Sequence, residues 1–376
     1  MSMKVIAIFP QGLEKEGANE LLELGATSIK IFLRAVSFQV DITSFYRIHL
    51  KARLPFRFLR EISQFPCNSP HALYAGVQRA CEWEQWLDPT KTFCVDVSGS
   101  TSGLTHTHYT ALAVKNALVD LQRSIWGKRS SINLEDPDVC IHLHLSHEKA
   151  ALSFSSTRFS LHRRGYRPGM GLAPLKENLA AGLIRLTHWD QAVPLIDPLC
   201  GSGTLLLEAA SMLVGSPNGF NTKLLFKFWP DFDRELWESE KNNANQVINQ
   251  FRLYPKLIGC EQNKDIALQA RSNISLAGFK KIISIQNTSF KDLLLPLEKG
   301  IIVCNPPYGK RIGEQEELYE LYKALGCFLK TNASGWQLWI LSGNTKLTKA
   351  LHMKSVKRIP INNGGIDCRW MHYPIN

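Results

Sequence analysis

Three observations predict an α/β protein with a mixed amino-terminal half. From Val193 onward short apolar strands alternate with helical segments, the pattern of a parallel sheet covered by helices. Before residue 158 the predicted order is strand, helix, strand, strand, helix and then a second mixed group, which reads as two small α+β units. Between the halves, residues 158–173 are basic, Gly-containing and aperiodic, and read as a linker. At 376 residues and 44% hydrophobic content, the chain can build two or three packed domains.

Residues 3–9 are expected as a strand and Gly12–Leu24 as a helix stopped by Gly25. Strands over Ser28–Leu33 and Ser37–Asp41 precede a helix capped by Thr43 or Ser44 and running through Ala52. The second group has a helix over Pro70–Leu87, a strand over Thr92–Val97, a helix over Tyr109–Ile125 and strands over Asp138–Leu145 and Ala150–Ser155. After the linker come a helix over Leu175–Leu186 and strands at 193–196, 256–260, 282–286, 300–304 and 336–341. Lys354–Pro360 and Cys368–Tyr373 read as an antiparallel pair around Asn362-Asn363-Gly364-Gly365.

The net charge of +11 points to a polyanionic partner, nucleic acid or a membrane surface. No uncharged apolar run approaches the roughly 20 residues needed to cross a bilayer. The apolar start is too short for a signal peptide, so a cytoplasmic protein without membrane attachment is expected. None of the nine cysteines forms Cys-x-x-Cys or sits near a His at ligand spacing. Reduced, buried thiols are expected, with no metal and no disulfide framework.

Two motifs carry the chemistry. In the first, the strand Val193–Ile196 ends at Asp197, and Gly201-Ser202-Gly203 leads into a helix from Thr204. Glycines let backbone approach a ligand, and a helix start offers free N–H groups. No Lys follows Gly203, and the third glycine of a dinucleotide fingerprint is absent. An acid at the strand end suits a cofactor with a cationic amino-acid end, such as S-adenosylmethionine. Glu261 ends the next strand, placed for ribose hydroxyls. It comes far later than the usual spacing, so an insertion over roughly 215–250 is expected. Asp292 follows the third strand, placed for an adenine amino group.

The second motif is Asn305-Pro306-Pro307-Tyr308, directly after the strand Ile301–Cys304. Both Asn305 and Pro306 precede a proline, so the turn is stiff. It makes the Asn305 amide and the Pro306 carbonyl neighbouring acceptors. Two acceptors gripping an exocyclic amino group favour a pyramidal nitrogen whose lone pair faces a methyl donor. Tyr308 can stack on the extruded base. Methyl transfer to the exocyclic nitrogen of a nucleobase is the expected reaction, and adenine N6 and guanine N2 both fit it.

On these residues the chain resembles the bacterial THUMP-domain methyltransferases that act on a guanine N2 of 23S ribosomal RNA. In some bacteria that enzyme is the amino-terminal half of a fused bifunctional protein. The resemblance runs from Leu73–Gly76 and Trp83-Glu84 through Phe93–Gly99, Pro137–Val139, Leu161–Arg167, Ala173–Ala180, Asp197–Glu208 and Asn305–Lys310 to Gly365–Cys368. It implies a ferredoxin-like domain over 1–60, a THUMP RNA-binding domain over 61–157, the linker, and a Rossmann-like class I methyltransferase domain over 174–376. It implies cofactor contacts at Asp197, Gly201, Gly203, Thr204, Glu261, Asp292 and Asn305, and a target-base role for Asn305, Pro306, Pro307 and Tyr308. Arg158, Arg163, Arg164 and Arg167 are expected to hold RNA phosphates. Lys176 and Glu177 are open to two readings, a frame for the site or an exposed helix start.

The chain departs from the family at Glu261 and Asn263, where Asp is usual, and at Thr105-His106-Thr107-His108, where Arg-Asn-Thr-Gln is usual. Other readings are a tRNA guanine-N2 enzyme, a DNA adenine-N6 enzyme and a non-catalytic RNA-binding assembly factor.

Overall fold

The computed structural model describes residues 2–166, 175–217, 223–246, 254–308 and 315–376. The chain runs β1 (Met3–Ile8), α1 (Glu14–Glu23), β2 (Thr27–Phe32), β3 (Ala35–Val40), α2 (Ile42–Lys51), β4 (Arg57–Pro66), α3 (Pro70–Gln78), α4 (Trp83–Trp86), β5 (Thr92–Gly99), α5 (Thr107–Trp126), β6 (Ser131–Ile132), β7 (Val139–Ser146) and β8 (Lys149–Ser155). It continues through α6 (Glu177–Leu186), β9 (Leu195–Asp197), α7 (Thr204–Leu213), α8 (Arg234–Gln246), β10 (Leu257–Cys260), α9 (Lys264–Leu276), β11 (Ile283–Gln286), β12 (Ile301–Cys304), α10 (Gln315–Asn332), β13 (Gln337–Ser342), α11 (Thr345–Lys349), β14 (Lys357–Asn363) and β15 (Ile366–Pro374). Two compact units result. One is Met1–Phe9, Leu21–Leu161 and Gly219–Asn242; the other is Pro10–Glu20, His162–Asn218 and Asn243–Asn376.

The first unit holds an eight-stranded sheet in the order β2-β3-β1-β4-β8-β7-β5-β6. Only β5 pairs in parallel, with β6 and β7. β4 escapes sequence reading because Arg57, Arg60, Glu61 and Gln64 interrupt its apolar alternation. It forms because β1 and β8 each offer it a ladder, Val5 opposite Arg60 and Leu59 opposite Ser155. Residue 60, expected as a domain boundary, therefore lies inside a strand.

The expected helix over Pro70–Leu87 is two helices. At the start of α4 the buried Trp83 indole Nε1 donates to the Val77 carbonyl at 2.8 Å and satisfies the end of α3. The cap of α2 is Asp41, which accepts from the Ser44 amide at 2.8 Å, instead of Thr43 or Ser44. Part of the expected insertion belongs to this unit. Phe226 stacks on Tyr46 with centroids 5.5 Å apart, and Trp237 meets Tyr46 edge-on at 5.5 Å. Burying each such ring is worth about 1.5–3 kcal/mol.

The second unit holds a seven-stranded sheet in the order β11-β10-β9-β12-β13-β15-β14. The first five strands are parallel, and β15 runs antiparallel to β13 and β14. One core cluster joins Ile196, Ile302, Cys304, Tyr322, Leu329, Leu338, Ile340 and Met371. From β9 the chain winds outward through β10 and β11, then crosses back to β12 on the other side of β9. Strand order reverses there, and in such sheets ligands bind beyond the carboxyl ends of the strands, here those of β9 and β12. Among the described residues no helix is long and apolar enough to cross a membrane.

Candidate active site

The expected cofactor and base residues of the second unit fall at the carboxyl ends of four contiguous strands. Asp197 ends β9, Glu261 follows β10, Asp292 lies beyond β11, and Asn305 follows β12. Neighbouring strands lie about 4.8 Å apart, so the sheet gathers acids distant in sequence along one edge.

Asp197 is buried, and one of its carboxylate oxygens accepts from the Leu199 amide at 3.1 Å. Burial raises its pKa to about 8, and the negative charge of Glu261 adds to the effect. Gly201 (φ 52°) and Gly203 (φ 84°) take left-handed conformations, which explains glycine at both. A side chain at Gly201 would meet nothing within 4 Å, so the loop borders open space. Gly203 caps α7 without a side-chain acceptor, and Thr204, the first helical residue, is buried. The loop is tied down by Cys200 N–H donating to the Cys260 carbonyl (3.0 Å) and Asn273 Nδ2 donating to the Ser202 carbonyl (3.1 Å).

The Glu261 carboxylate accepts from the Asn263 amide at 2.8 Å, and Asn287 Nδ2 donates to the Glu261 carbonyl at 2.8 Å. Asn263, one of the departures, caps α9 by accepting from the Asp265 and Ile266 amides at 3.0 and 3.2 Å. An Asn does this as well as an Asp. Asp292 is exposed.

Pro306 is buried and Pro307 exposed, while Asn305 and Tyr308 are half-buried. Asn305 Oδ1 is itself buried and has no hydrogen-bond partner among the described residues. Such an acceptor costs about 1–3 kcal/mol unless something donates to it. Tyr308 Oη accepts from Asn363 Nδ2 at 2.7 Å, and burial raises the phenol to about 12.

The expected arginines diverge. Arg163 is exposed, and Arg167 lies outside the described residues. Arg164 is buried, with its Nε 3.6 Å from the Glu208 carboxylate, and Tyr166 Oη donates to the same carboxylate at 2.7 Å. Its charge is matched inside the fold instead of facing a polyanion. In the other unit Arg158 pairs with Asp96 at 3.8 Å and donates to the Leu134 carbonyl. Glu177 is buried and Lys176 exposed, so only Lys176 fits an exposed helix start.

Seven of the nine cysteines are buried; Cys327 is exposed and Cys81 intermediate. Sequence spacing gave no sign that Cys94, Asp96 and Cys140 bring their ligand atoms within 4.8 Å of one another on β5 and β7. The Asp96 carboxylate there already pairs with Arg57 (3.5 Å) and Arg158.

Comparison with known proteins gives the family and the fold. The family described as RMKL-like, methyltransferase domain, matches residues 164–372, and the THUMP domain matches residues 68–155. A Synechocystis protein named "Putative RNA methyltransferase slr0064" is 40% identical over 98% of this chain and 96% of its own. The ribosomal RNA large subunit methyltransferase K/L of Syntrophotalea carbinolica is 36% identical over 99% of this chain and 54% of its own, so the chain spans about half the length of that relative. Among solved structures, SMU.472 complexed with SAH superposes with a TM-score of 0.90 at 25% identity, covering 100% of this chain and 98% of its own. A possible methylase from Clostridium difficile 630 gives 0.91 at 25% identity, covering 100% and 99%. With the glycine loop, the strand-end acids and Asn-Pro-Pro-Tyr on one sheet edge, the chain belongs to the RMKL-like methyltransferase family and carries a THUMP domain ahead of its methyltransferase domain.

Proposed function

We propose that this protein is an S-adenosylmethionine-dependent RNA methyltransferase whose target is the exocyclic N2 of a guanine in 23S ribosomal RNA. The observation that carries the reading is Asn305 Oδ1, a buried acceptor without a donor among the described residues, on the strand end next to that of Asp197. An aromatic amino group supplies two N–H donors. Gripping them at Asn305 and at the Pro306 carbonyl draws the nitrogen lone pair out of the ring. The THUMP match supports RNA as the substrate class, and the K/L relatives are named for large-subunit ribosomal RNA. Exposed Arg163 is the described linker residue left for phosphate contact.

The residues fit the methyl donor. Gly201 leaves backbone open where a side chain would stand, and Asp197 is a buried acid suited to an ammonium. Glu261 and Asp292 would take the ribose and adenine ends. When bound, the donor supplies a sulfonium-activated methyl group. The Asn305 and Pro306 carbonyls orient and polarise the amino group; once the N–C bond has formed and the methyl has left sulfur, the cationic nitrogen is strongly acidic and its proton passes to water, with no protein base required. Tyr308, with its phenol near 12, is no base at neutral pH. Alignment supplies the catalysis.

The test is transfer of labelled methyl from S-adenosylmethionine into ribosomal RNA from cells lacking this gene, followed by nucleoside analysis. N2-methylguanosine in the large-subunit RNA is expected. Label confined to tRNA or to adenine in DNA would refute the target, and no binding of S-adenosylmethionine would refute the reaction.

A further inference from the structure

The sequence singles out Asn362-Asn363-Gly364-Gly365, to which neither the cofactor nor the base reading assigns a role. Because β15 runs antiparallel to β13, with Ser342 opposite Arg369, its first residues stand at the carboxyl end of the parallel strands. The turn between β14 and β15, with Gly364 at φ 61° and Gly365 at φ 90°, therefore lies on the same edge as Asn305–Tyr308. Asn362 locks the turn by accepting from the Gly365 amide at 2.9 Å and donating to Asp367 at 3.3 Å. The Asn362 backbone N–H also donates to the Gln11 carbonyl at 3.1 Å. The turn is thus a braced support.

From this support Asn363 Nδ2 donates to Tyr308 Oη at 2.7 Å. The hydroxyl thus already accepts from a donor inside the protein. The bond fixes the hydroxyl end of the side chain, and the part of Tyr308 suited to a planar base is its ring.

We propose that Asn363 is a positioning residue. It clamps the Tyr308 hydroxyl so that the ring forms a fixed wall of the target-base slot, and Tyr308 meets the base by its face and not through its hydroxyl. This rests on the reading of Asn305–Tyr308 as the base-binding turn. A wall that shifts by an ångström misaligns the amino group with the methyl donor, and such misplacement lowers turnover about ten- to a hundredfold.

A double-mutant cycle tests the clamp. Methyl transfer into RNA is measured for the wild type, Tyr308→Phe, Asn363→Ala and the double variant, with Asn363→Asp as a same-sized change. S-adenosylmethionine affinity and melting temperature serve as controls for folding. Tyr308→Phe and Asn363→Ala should each lower kcat about tenfold with cofactor affinity unchanged. The double variant should be no slower than Tyr308→Phe, because Asn363 acts only through the hydroxyl that Phe lacks. A purely structural Asn363 would multiply its loss onto that of Tyr308→Phe and overturn the proposal. So would an active wild type whose Asn363 variants turn over normally. A wild type that methylates no RNA sinks the proposed function, and this inference with it.

Discussion

Replacing Asp197 by Asn separates the cost of the buried carboxylate from its use. Burial lifts the Asp197 pKa from 3.8 to about 8. Because the folded value lies above the unfolded one, the native state holds the proton more tightly. The stability this represents is complete below about pH 4 and is lost as pH rises to 8. Each unit is worth 1.36 kcal/mol. Between pH 5.5 and 8 the wild-type protein should therefore lose about 3 kcal/mol that the Asn variant keeps, and above pH 8 the gap should stay constant. Asn is nearly isosteric and can still accept from the Leu199 amide, so packing changes little. The assay is urea unfolding followed by tryptophan fluorescence at pH 5.5, 7 and 9, with and without saturating S-adenosylmethionine. Without ligand the variant should gain on the wild type as pH rises. With ligand the order should reverse, because the ammonium stabilises the ionised carboxylate only in the wild type. Parallel pH profiles without ligand would refute the reasoning, since Asp197 would then titrate as an ordinary surface acid.

Asn305→Ala should lower kcat by about a hundredfold or more while leaving S-adenosylmethionine affinity within a few-fold, as calorimetry and single-turnover transfer would register. In the other unit, buried His49 hydrogen-bonds the Phe45 carbonyl (2.8 Å) and Ser156 Oγ (2.7 Å), and burial lowers it from 6.5 to about 4. Stability should therefore fall by about 3 kcal/mol between pH 6.5 and 4, and His49→Gln should flatten that acid slope in denaturation curves. The kcat for methyl transfer at saturating donor should be nearly flat from pH 6 to 9, whereas donor affinity should strengthen toward pH 8 as Asp197 ionises; a bell-shaped kcat profile would point to a general base not identified at this site.

The features legible in the sequence are those whose cause is local. Apolar runs such as Ile301–Cys304, and a glycine loop opening a helix at Thr204, declare themselves because backbone propensity and burial agree. β4 is a strand only because β1 and β8 flank it. Phe226 and Trp237 pack on Tyr46 across some 180 residues of chain, so no local pattern assigns them to the first unit. Arg164 sits in a basic stretch and looks solvent-facing until Glu208, far along the chain, takes its charge. The site shows the same division. Strand-end acids and the tetrapeptide follow from the order of elements, but Asn273 under the glycine loop and Asn363 behind Tyr308 arrive from distant elements. An isolated Asn carries no signal that separates it from a turn residue.

The thiols around this site follow from the same chemistry. A sulfonium methyl group is an electrophile, and a nearby thiolate would compete with the amino group for it. Cys200, Cys260 and Cys304 all stand at the sheet edge that carries Asp197 and Asn305. Each is buried and pushed up, Cys260 to about 11, first by desolvation and then by the negative charge of nearby acids. Burial thus keeps these sulfurs protonated and poorly nucleophilic, and the acids proposed to hold the donor act in the same direction. Asn305 and the proline turn add acceptors without adding a nucleophile. On the proposed function, selectivity for nitrogen has two parts, a neutral grip on the amino group and an electrostatic field that disfavours the sulfur alternative.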